Sequence, residues 1–213
     1  MASYIIPIVA GSAIGWGAYA YLNRDTIASQ QRWEANKKQS DADNKAQYKK
    51  LLGVTEQVSS TLTKLGFKHA VTGSVALQLY GYQLNRWIRD VDVMVDVPPK
   101  LTDAEFLAKV AGPEAKRLPA DDGGYDPEEL KSCISVKIAG TTVDFFRNGP
   151  IAEKDIRLIG GTFNDDTDLP LPVLGLQRVI DRKIKIGRGK DHRDIRTIKD
   201  KLPADITTVG LFV

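Results

Sequence analysis

The chain has 213 residues, of which 42% are hydrophobic and 27% charged, as expected for a globular domain with a buried core. Its formal net charge of +3 is too small to indicate nucleic-acid binding by itself. One cysteine excludes an intramolecular disulfide and a thiolate metal site, and two histidines argue against a His-rich zinc centre. Cys133 lies in an alternating apolar run, which predicts a buried strand thiol and a reducing compartment.

Residues 4–22 form an apolar run without a charged side chain. As a helix they would extend about 28 Å, close to the hydrocarbon thickness of a bilayer. Because the basic residues follow this run, an anchored chain would keep its C-terminal domain in the cytoplasm and its N-terminus outside. Two alternatives stay open, namely a helix buried in a protein assembly and a signal peptide cleaved near Ala20. Residues 23–45 are polar and predict a helical or flexible spacer.

The globular domain is predicted over residues 46–202, with residues 203–213 as a C-terminal tail. Leucines and valines recur at helical spacing from Ala46 to Leu65, and Gly66 ends the pattern. This spacing predicts the first helix of the domain.

A short strand over residues 67–72 and a short helix over residues 75–80 flank the dipeptide Gly73-Ser74. A glycine turn before a helix lets the backbone approach a phosphate, because free N–H groups point towards it. An ordinary helix N-cap has the same sequence, so the dipeptide alone is a weak indication of phosphate binding.

Residues 90–96 alternate between acidic and apolar side chains, which predicts a strand. Successive side chains of a strand point to opposite faces, so Asp90 and Asp92 share one face while Val91 and Val93 point to the core. Two neighbouring carboxylates repel each other and favour a hard cation with oxygen ligands. Mg²⁺ is the cation that typically combines one or two carboxylates with substrate phosphates.

The middle of the chain predicts a helix, a surface loop expected to line the acceptor side, and a β-hairpin. These are residues 103–111 after Thr102 as N-cap, residues 112–130, and residues 132–138 with 142–146. The second hairpin strand holds Asp144 between apolar neighbours, where a carboxylate is costly to bury without a partner. If this strand lies beside the one carrying Asp90 and Asp92, Asp144 completes a set of three carboxylates.

After an acidic loop at residues 164–168, apolar spacing predicts a helix over residues 173–186 and a last helix from Lys190. The outward face of the longer helix is predicted to carry Arg178, Arg182 and Lys185.

The last helix contains two acidic residues, Asp191 and Asp194. We expect them to cap this helix or to pair with its own Arg193 and Arg196, and we expect His192 to lie on the surface.

These elements predict an α+β fold in which helices pack on a small mixed β-sheet. Three motifs carry a resemblance to a known family: Gly73-Ser74 before a helix, Asp90-Val91-Asp92-Val93 on a strand, and Asp144 on a later strand. The chain from about residue 51 to residue 202 resembles the nucleotidyltransferase superfamily, which has the polymerase-β-like fold. The segment K-I-K-I-G-R-G-K-D-H-R-D-I is similar to one found in its antibiotic-modifying and abortive-infection toxin types.

The resemblance implies transfer of a nucleoside monophosphate from a nucleoside triphosphate, such as ATP, to a hydroxyl acceptor. It implies that Asp90, Asp92 and Asp144 are the catalytic residues and the ligands of two Mg²⁺ ions. It implies nucleotide binding by five residues: Gly73, Ser74, Lys183, Lys190 and Arg193. Considered singly, Lys183 and Lys190 would be ordinary charges on a helix surface.

Two other functions stay open at this point. One is a non-catalytic structural or interaction protein of this fold, inserted by residues 4–22 into a membrane or a multiprotein assembly such as a phage particle. The other is the toxin of a two-gene defence module. The acceptor is not identified by the sequence.

Overall fold

The computed structural model describes residues 42–84, 86–119, 132–147, 149–160 and 170–208. The predicted anchor, nearly all of the predicted spacer, the acidic loop at residues 164–168 and the loop residues 120–130 lie outside these ranges. Across the described ranges, no helix has both the length and the apolar character that crossing a membrane requires. The compact unit described below starts at Ala46.

Residues 42–64 are helical and form α1. The helix ends at Lys64, and Gly66 follows with a φ of 74° and donates its N–H to the Thr63 carbonyl, while the Phe67 N–H donates to the Leu62 carbonyl. Such closing bonds satisfy the last carbonyls of a helix and need a residue that tolerates positive φ. Leu62 is fully buried, whereas Leu65, predicted to share its apolar face, is 40% exposed because it lies beyond the last helical turn.

Six strands form one mixed sheet in the order β3-β4-β2-β1-β6-β5. The pairs β2–β4 and β1–β6 are parallel, and the other neighbours are antiparallel. The strands are β1 (Lys68–Thr72), β2 (Asp90–Asp96), β3 (Cys133–Ile138), β4 (Thr141–Phe146), β5 (Ile156–Ile159) and β6 (Leu171–Leu174). The predicted α+β class with a mixed sheet is confirmed.

Within the described ranges, four further helices follow α1, and two single turns of 3₁₀ helix stand at Glu153–Asp155 and Lys199–Lys201. The helices are α2 (Gly73–Leu79), α3 (Asp103–Ala111), α4 (Leu176–Ile186) and α5 (Gly189–Ile198). The predicted N-cap of α3 is confirmed, since Thr102 and Glu105 form a reciprocal capping box.

The predicted hairpin is confirmed as β3 and β4, but its turn is shorter than expected. Ala139 and Gly140 alone form it, with φ values of 47° and 74°. Two successive positive φ angles are those of the type I′ turn, whose twist matches that of the strands it joins. Thr141, predicted to belong to the turn, is therefore the first residue of β4.

The predicted helix start at Val173 is wrong, because residues Leu171–Leu174 form the strand β6. Val173 pairs with Val71 of β1 on one side and with Arg157 of β5 on the other. A four-residue apolar run fits a buried strand as well as a helical turn, and the sheet neighbours decide between them. The strand β5 was not predicted.

The core lies between the sheet and its helices, and aromatic rings fill much of it. Phe106 of α3 meets Phe67 and Phe145 edge to face, at centroid distances of 5.6 and 5.2 Å. Burying a side chain of this size contributes about 1.5–3 kcal/mol. On β2 the valines point into this core, as predicted, and so leave the acidic residues on the other face.

Candidate active site

Three carboxylates meet on one face of the sheet at neighbouring strands. β2 and β4 run parallel with Asp92 opposite Asp144 and Asp90 opposite Thr142. Residues in register on parallel strands point to the same face, and Asp90 shares that face because it is two residues from Asp92. The predicted placement of Asp144 beside the D-x-D strand is confirmed by this register. We call Asp90, Asp92 and Asp144 the acidic trio.

The acidic trio is mutually repulsive. Burial, followed by the negative charges of Asp90 and Asp144, raises the pKa of Asp92 from 3.8 to about 7, against the opposing effect of Arg182 and Lys183. Asp144 is 6% exposed, while Asp90 and Asp92 are half-buried. Asp92 therefore favours a bound proton, or a cation in its place.

A metal ion is chemically suited to the trio, although its ligands are not gathered into a ready site. In the described part of the chain, no group of three His, Cys, Asp or Glu side chains is arranged so that it could hold a metal ion. The donors on offer are carboxylate oxygens, which suit Mg²⁺ better than zinc. The raised pKa of Asp92 reflects its burial and the charges of its two carboxylate neighbours.

Gly73 lies directly against Asp92. Its φ is +66°, and a Cβ placed on it would come within 1.9 Å of Asp92 Oδ2. No other residue type fits, because the conformation and the available space both exclude a side chain. The glycine that was predicted to approach a phosphate thus also makes room for a carboxylate of the acidic trio. Phosphate binding by Gly73 stays a prediction.

A single narrow cleft gathers most of the predicted site. Its lining comprises Thr72, Gly73, Ser74, Asp90, Asp92, Val179, Arg182, Lys183, Ile186, Arg188, Lys190 and Asp191. Asp144 stands next to it on β4, whereas the exposed Arg193 does not line it. The cleft volume is about 20 Å³. That is room for about one water molecule and too little for a triphosphate.

Lys183 is not a surface residue, contrary to the simplest interpretation of its sequence. It is 5% exposed, and its Nζ donates to Asp191 Oδ1 at 3.0 Å and to Asp194 Oδ2 at 2.8 Å. A third contact reaches Ser74 Oγ at 3.4 Å. Burying a lysine is costly unless carboxylates pair with it, so α4 and α5 are tied together by this group.

Two arginines that sequence analysis missed complete this arrangement. Arg86 donates from Nε and Nη2 to the two carboxylate oxygens of Asp194, both at 2.7 Å, and from Nη2 to Ser74 Oγ at 2.5 Å. Arg188 Nε donates to Asp191 Oδ2 at 2.7 Å. We call Arg86, Lys183, Arg188, Asp191 and Asp194, with Ser74, the ion-pair cluster.

The predicted pairing of Asp191 and Asp194 with Arg193 and Arg196 is wrong, because both carboxylates point inward. Burial alone would raise the pKa of Asp191 and Asp194. Hydrogen bonds from Arg188 to the one and Arg86 to the other, with the charge of Lys183, outweigh burial and lower both pKa values.

The positions of three further side chains can be compared with the predictions from the sequence. Arg182, predicted to face outward, stacks on the Phe146 ring at 3.8 Å and lines the cleft. His192, predicted to lie on the surface, is half-buried. Cys133 is buried in β3, as predicted, and burial with the nearby Asp144 raises the pKa of its thiol to about 12.

No protein-family model matches the sequence, and no curated protein matches it at a significant level. Several solved structures are similar. A Thermotoga maritima protein to which nucleotidyltransferase activity is ascribed has 17% identity, with 71% of this chain and 93% of that chain covered and a TM-score of 0.46. The antibiotic-resistance factor ANT(2'')-Ia has 13% identity, with 76% of this chain and 87% of that chain covered and a TM-score of 0.47. An antigenic nucleotidyltransferase-like protein from Paracoccidioides brasiliensis has 18% identity, with 70% of this chain and 73% of that chain covered and a TM-score of 0.44.

Identities of 13–18% with TM-scores of 0.44–0.47 neither assign the chain to a family nor transfer a reaction to it. A shared fold does not fix a function, because function depends on the residues of the site.

Proposed function

We propose that the chain is a nucleotidyltransferase, which moves a nucleoside monophosphate from a nucleoside triphosphate such as ATP to a hydroxyl acceptor. The observation that carries this proposal is the acidic trio, set on adjacent strands beside a cleft that Lys183 also lines. Carboxylates and a buried cation are the two kinds of group that nucleotidyl transfer requires.

In the proposed reaction, the acceptor oxygen attacks the α-phosphorus, and the bond from that phosphorus to the oxygen bridging to the β-phosphorus breaks. Pyrophosphate leaves, and a carboxylate oxygen of Asp144 takes the hydroxyl proton. Lys183 and Lys190, which line the cleft, would offset the charge that builds up on pyrophosphate. Ser74 would bond to the phosphates, which requires its present bonds to Arg86 and Asp194 to open.

Magnesium is part of the proposal. Asp90 and Asp92 would hold Mg²⁺, with Asp144 as a further ligand of a second ion. When bound, Mg²⁺ would acidify the acceptor hydroxyl and neutralise phosphate charge.

The test is Mg²⁺-dependent incorporation of labelled nucleotide from each of the four nucleoside triphosphates into a broad acceptor panel. Replacing Asp90 and Asp92 by Asn should lower incorporation about 100-fold or more, because the two carboxylate charges that would hold Mg²⁺ are lost. Asp96→Asn is the matched control, since it lies on the same strand, opposite Lys68, and outside the cleft. Control activity should stay within about twofold of wild type.

A non-catalytic protein of the same architecture is the second candidate, and two observations favour it. The cleft is too small for a triphosphate, and Lys183 is already neutralised by two carboxylates. Absence of both nucleotide incorporation and Mg-nucleotide binding in the wild type would establish this candidate and exclude the enzyme. Nucleotide incorporation that disappears in Asp92→Asn would exclude it.

A further inference from the structure

A second cavity lies beside the ion-pair cluster. Arg86, Arg193, Asp194, Arg196 and Thr197 line it, and its volume is about 310 Å³. None of these residues lines the cleft of the acidic trio. The volume is at the lower end of the range of about 300–1,000 Å³ that is usual for small-molecule sites.

The cavity carries positive charge that no residue in the described part of the chain neutralises. Arg193 and Arg196 are exposed and stand three residues apart on α5, where two like charges repel each other. Among the described residues, neither guanidinium takes part in a hydrogen bond or an ion pair. Asp194 is 2% exposed, and its two oxygens are engaged by Arg86 and Lys183.

The hydrogen-bond donors that a ligand could use belong chiefly to Arg193 and Arg196, because the donors of Arg86 and Thr197 are already engaged. Arg86 directs Nε and Nη2 at Asp194 and Ser74, and its Nη1 at the Trp87 carbonyl at 3.3 Å. The Thr197 hydroxyl donates to the Arg193 carbonyl at 2.8 Å. The guanidinium groups of Arg193 and Arg196 are left to bind. Paired guanidinium forks match the oxygens of a phosphate in charge and geometry.

The cavity is also connected to the cleft through side chains. Arg86 lines the cavity and bonds to Ser74 of the cleft, while Asp194 lines the cavity and bonds to Lys183 of the cleft. A ligand in the cavity would therefore be one side chain away from the proposed phosphate site.

We propose that the cavity between Arg86, Arg193 and Arg196 binds a phosphate group of the acceptor. Its role in holding the acceptor rests on the proposed function, whereas phosphate binding by Arg193 and Arg196 does not. The phosphate could belong to a nucleic-acid strand or to a small phosphorylated molecule, and the two sources share this chemistry.

The test uses the full chain and three probes: a fluorescent single-stranded oligoribonucleotide, a nucleoside monophosphate and inorganic phosphate. The first is followed by fluorescence anisotropy and the others by titration calorimetry. The wild type should bind at least one probe, and the Arg193→Ala/Arg196→Ala double variant should bind it about tenfold or more weakly. Arg157→Ala removes an exposed arginine outside both cavities and should change binding by less than about twofold.

Binding of the oligoribonucleotide alone assigns the phosphate to a nucleic-acid acceptor, and binding of the small probes assigns it to a small one. Unchanged binding by the double variant, at an unchanged melting temperature, overturns the proposal, as does failure of all three probes to bind wild type. Affinity for Mg-nucleoside triphosphate should stay within about twofold in the double variant, because the cleft lining is intact. If the wild type binds probes through these arginines yet incorporates no nucleotide, the proposed function fails and the phosphate site stands.

Discussion

Aspartates lie in two different surroundings at and near the cleft, and these surroundings have opposite effects on their pKa values. Asp92 lies among other carboxylates, and burial together with those charges raises its pKa to about 7. Asp191 and Asp194 are buried as well, yet hydrogen bonds from arginines and the charge of Lys183 lower their pKa values. Burial alone therefore does not set the ionisation of a carboxylate, and the charge of its neighbours decides the direction.

The difference separates two kinds of structure. The ion-pair cluster compensates its charges internally, so it stabilises the join between α4, α5 and the loop that carries Arg86. The acidic trio is less compensated, since Arg182 and Lys183 only partly offset the effects that raise the pKa of Asp92, and it can accept a cation from outside the chain. The first arrangement is typical of a structural element and the second of a binding site.

The largest effect expected from this comparison is on stability. Lys183→Met should lower the free energy of unfolding by about 3–5 kcal/mol, because two buried carboxylates lose the cation between them. Urea unfolding at pH 7 measures it. Lys185→Met, an exposed position on the same helix, should cost less than about 0.5 kcal/mol.

Combining Lys183→Met with Asp194→Asn should cost less than the sum of the single changes, since a neutral side chain no longer needs the cation. If Lys183→Met is as stable as Lys185→Met, the ion-pair cluster does not stabilise the fold.

The next effect depends on pH and has the opposite sign. Between pH 3.8 and about 7, folded Asp92 holds a proton that the unfolded chain releases, so wild-type stability falls as the pH rises through this range. Asp92→Asn removes this loss and should be more stable than wild type by about 2–4 kcal/mol at pH 8.

Below about pH 4 the wild-type carboxyl is protonated in both states, and the advantage of Asp92→Asn should disappear. Urea unfolding at pH 3.5, 6 and 8 measures the trend, and Asp96→Asn controls for the loss of one carboxylate from β2. An equal difference between Asp92→Asn and wild type at all three pH values would contradict the repulsion within the acidic trio. Added Mg²⁺ should stabilise wild type at pH 8 more than it stabilises Asp92→Asn.

A smaller effect tests how tightly Asp92 is held against its turn. Gly66 and Gly73 have similar φ values of 74° and 66°, but only Gly73 has a neighbour in the way of a Cβ. Gly66→Ala should cost about 1 kcal/mol from backbone conformation alone. Gly73→Ala should cost about 2 kcal/mol more, because Asp92 must move, and it should also lower nucleotide incorporation.

Thermal unfolding of the two alanine variants gives this comparison directly. Equal melting temperatures would mean that Asp92 does not pack on Gly73.

The acidic trio could be predicted from the sequence because the pattern that places two of its residues on one face is local. Alternation places Asp90 and Asp92 on one face of a strand whatever the strand pairs with. Asp144 required one further assumption, that β4 lies beside β2, and the observed register of Asp92 with Asp144 satisfies it.

The ion-pair cluster could not be predicted from the sequence. Its members are far apart in the chain: Ser74 precedes Asp194 by 120 residues and Arg86 precedes it by 108. Spacing along one helix suggested local partners for Asp194, and that inference failed because the buried side of α5 faces α4 and not solvent.

By itself, the sequence determined the secondary structure that follows from short-range rules: the cap at Thr102, the hairpin around Gly140, and the alternation along β2. Tertiary structure alone decided whether Leu171–Leu174 would be strand or helix, because the pairing partners β1 and β5 supply the missing hydrogen bonds. It also decided that Lys183 is buried, since a lysine enters a core only where carboxylates from elsewhere in the fold meet it.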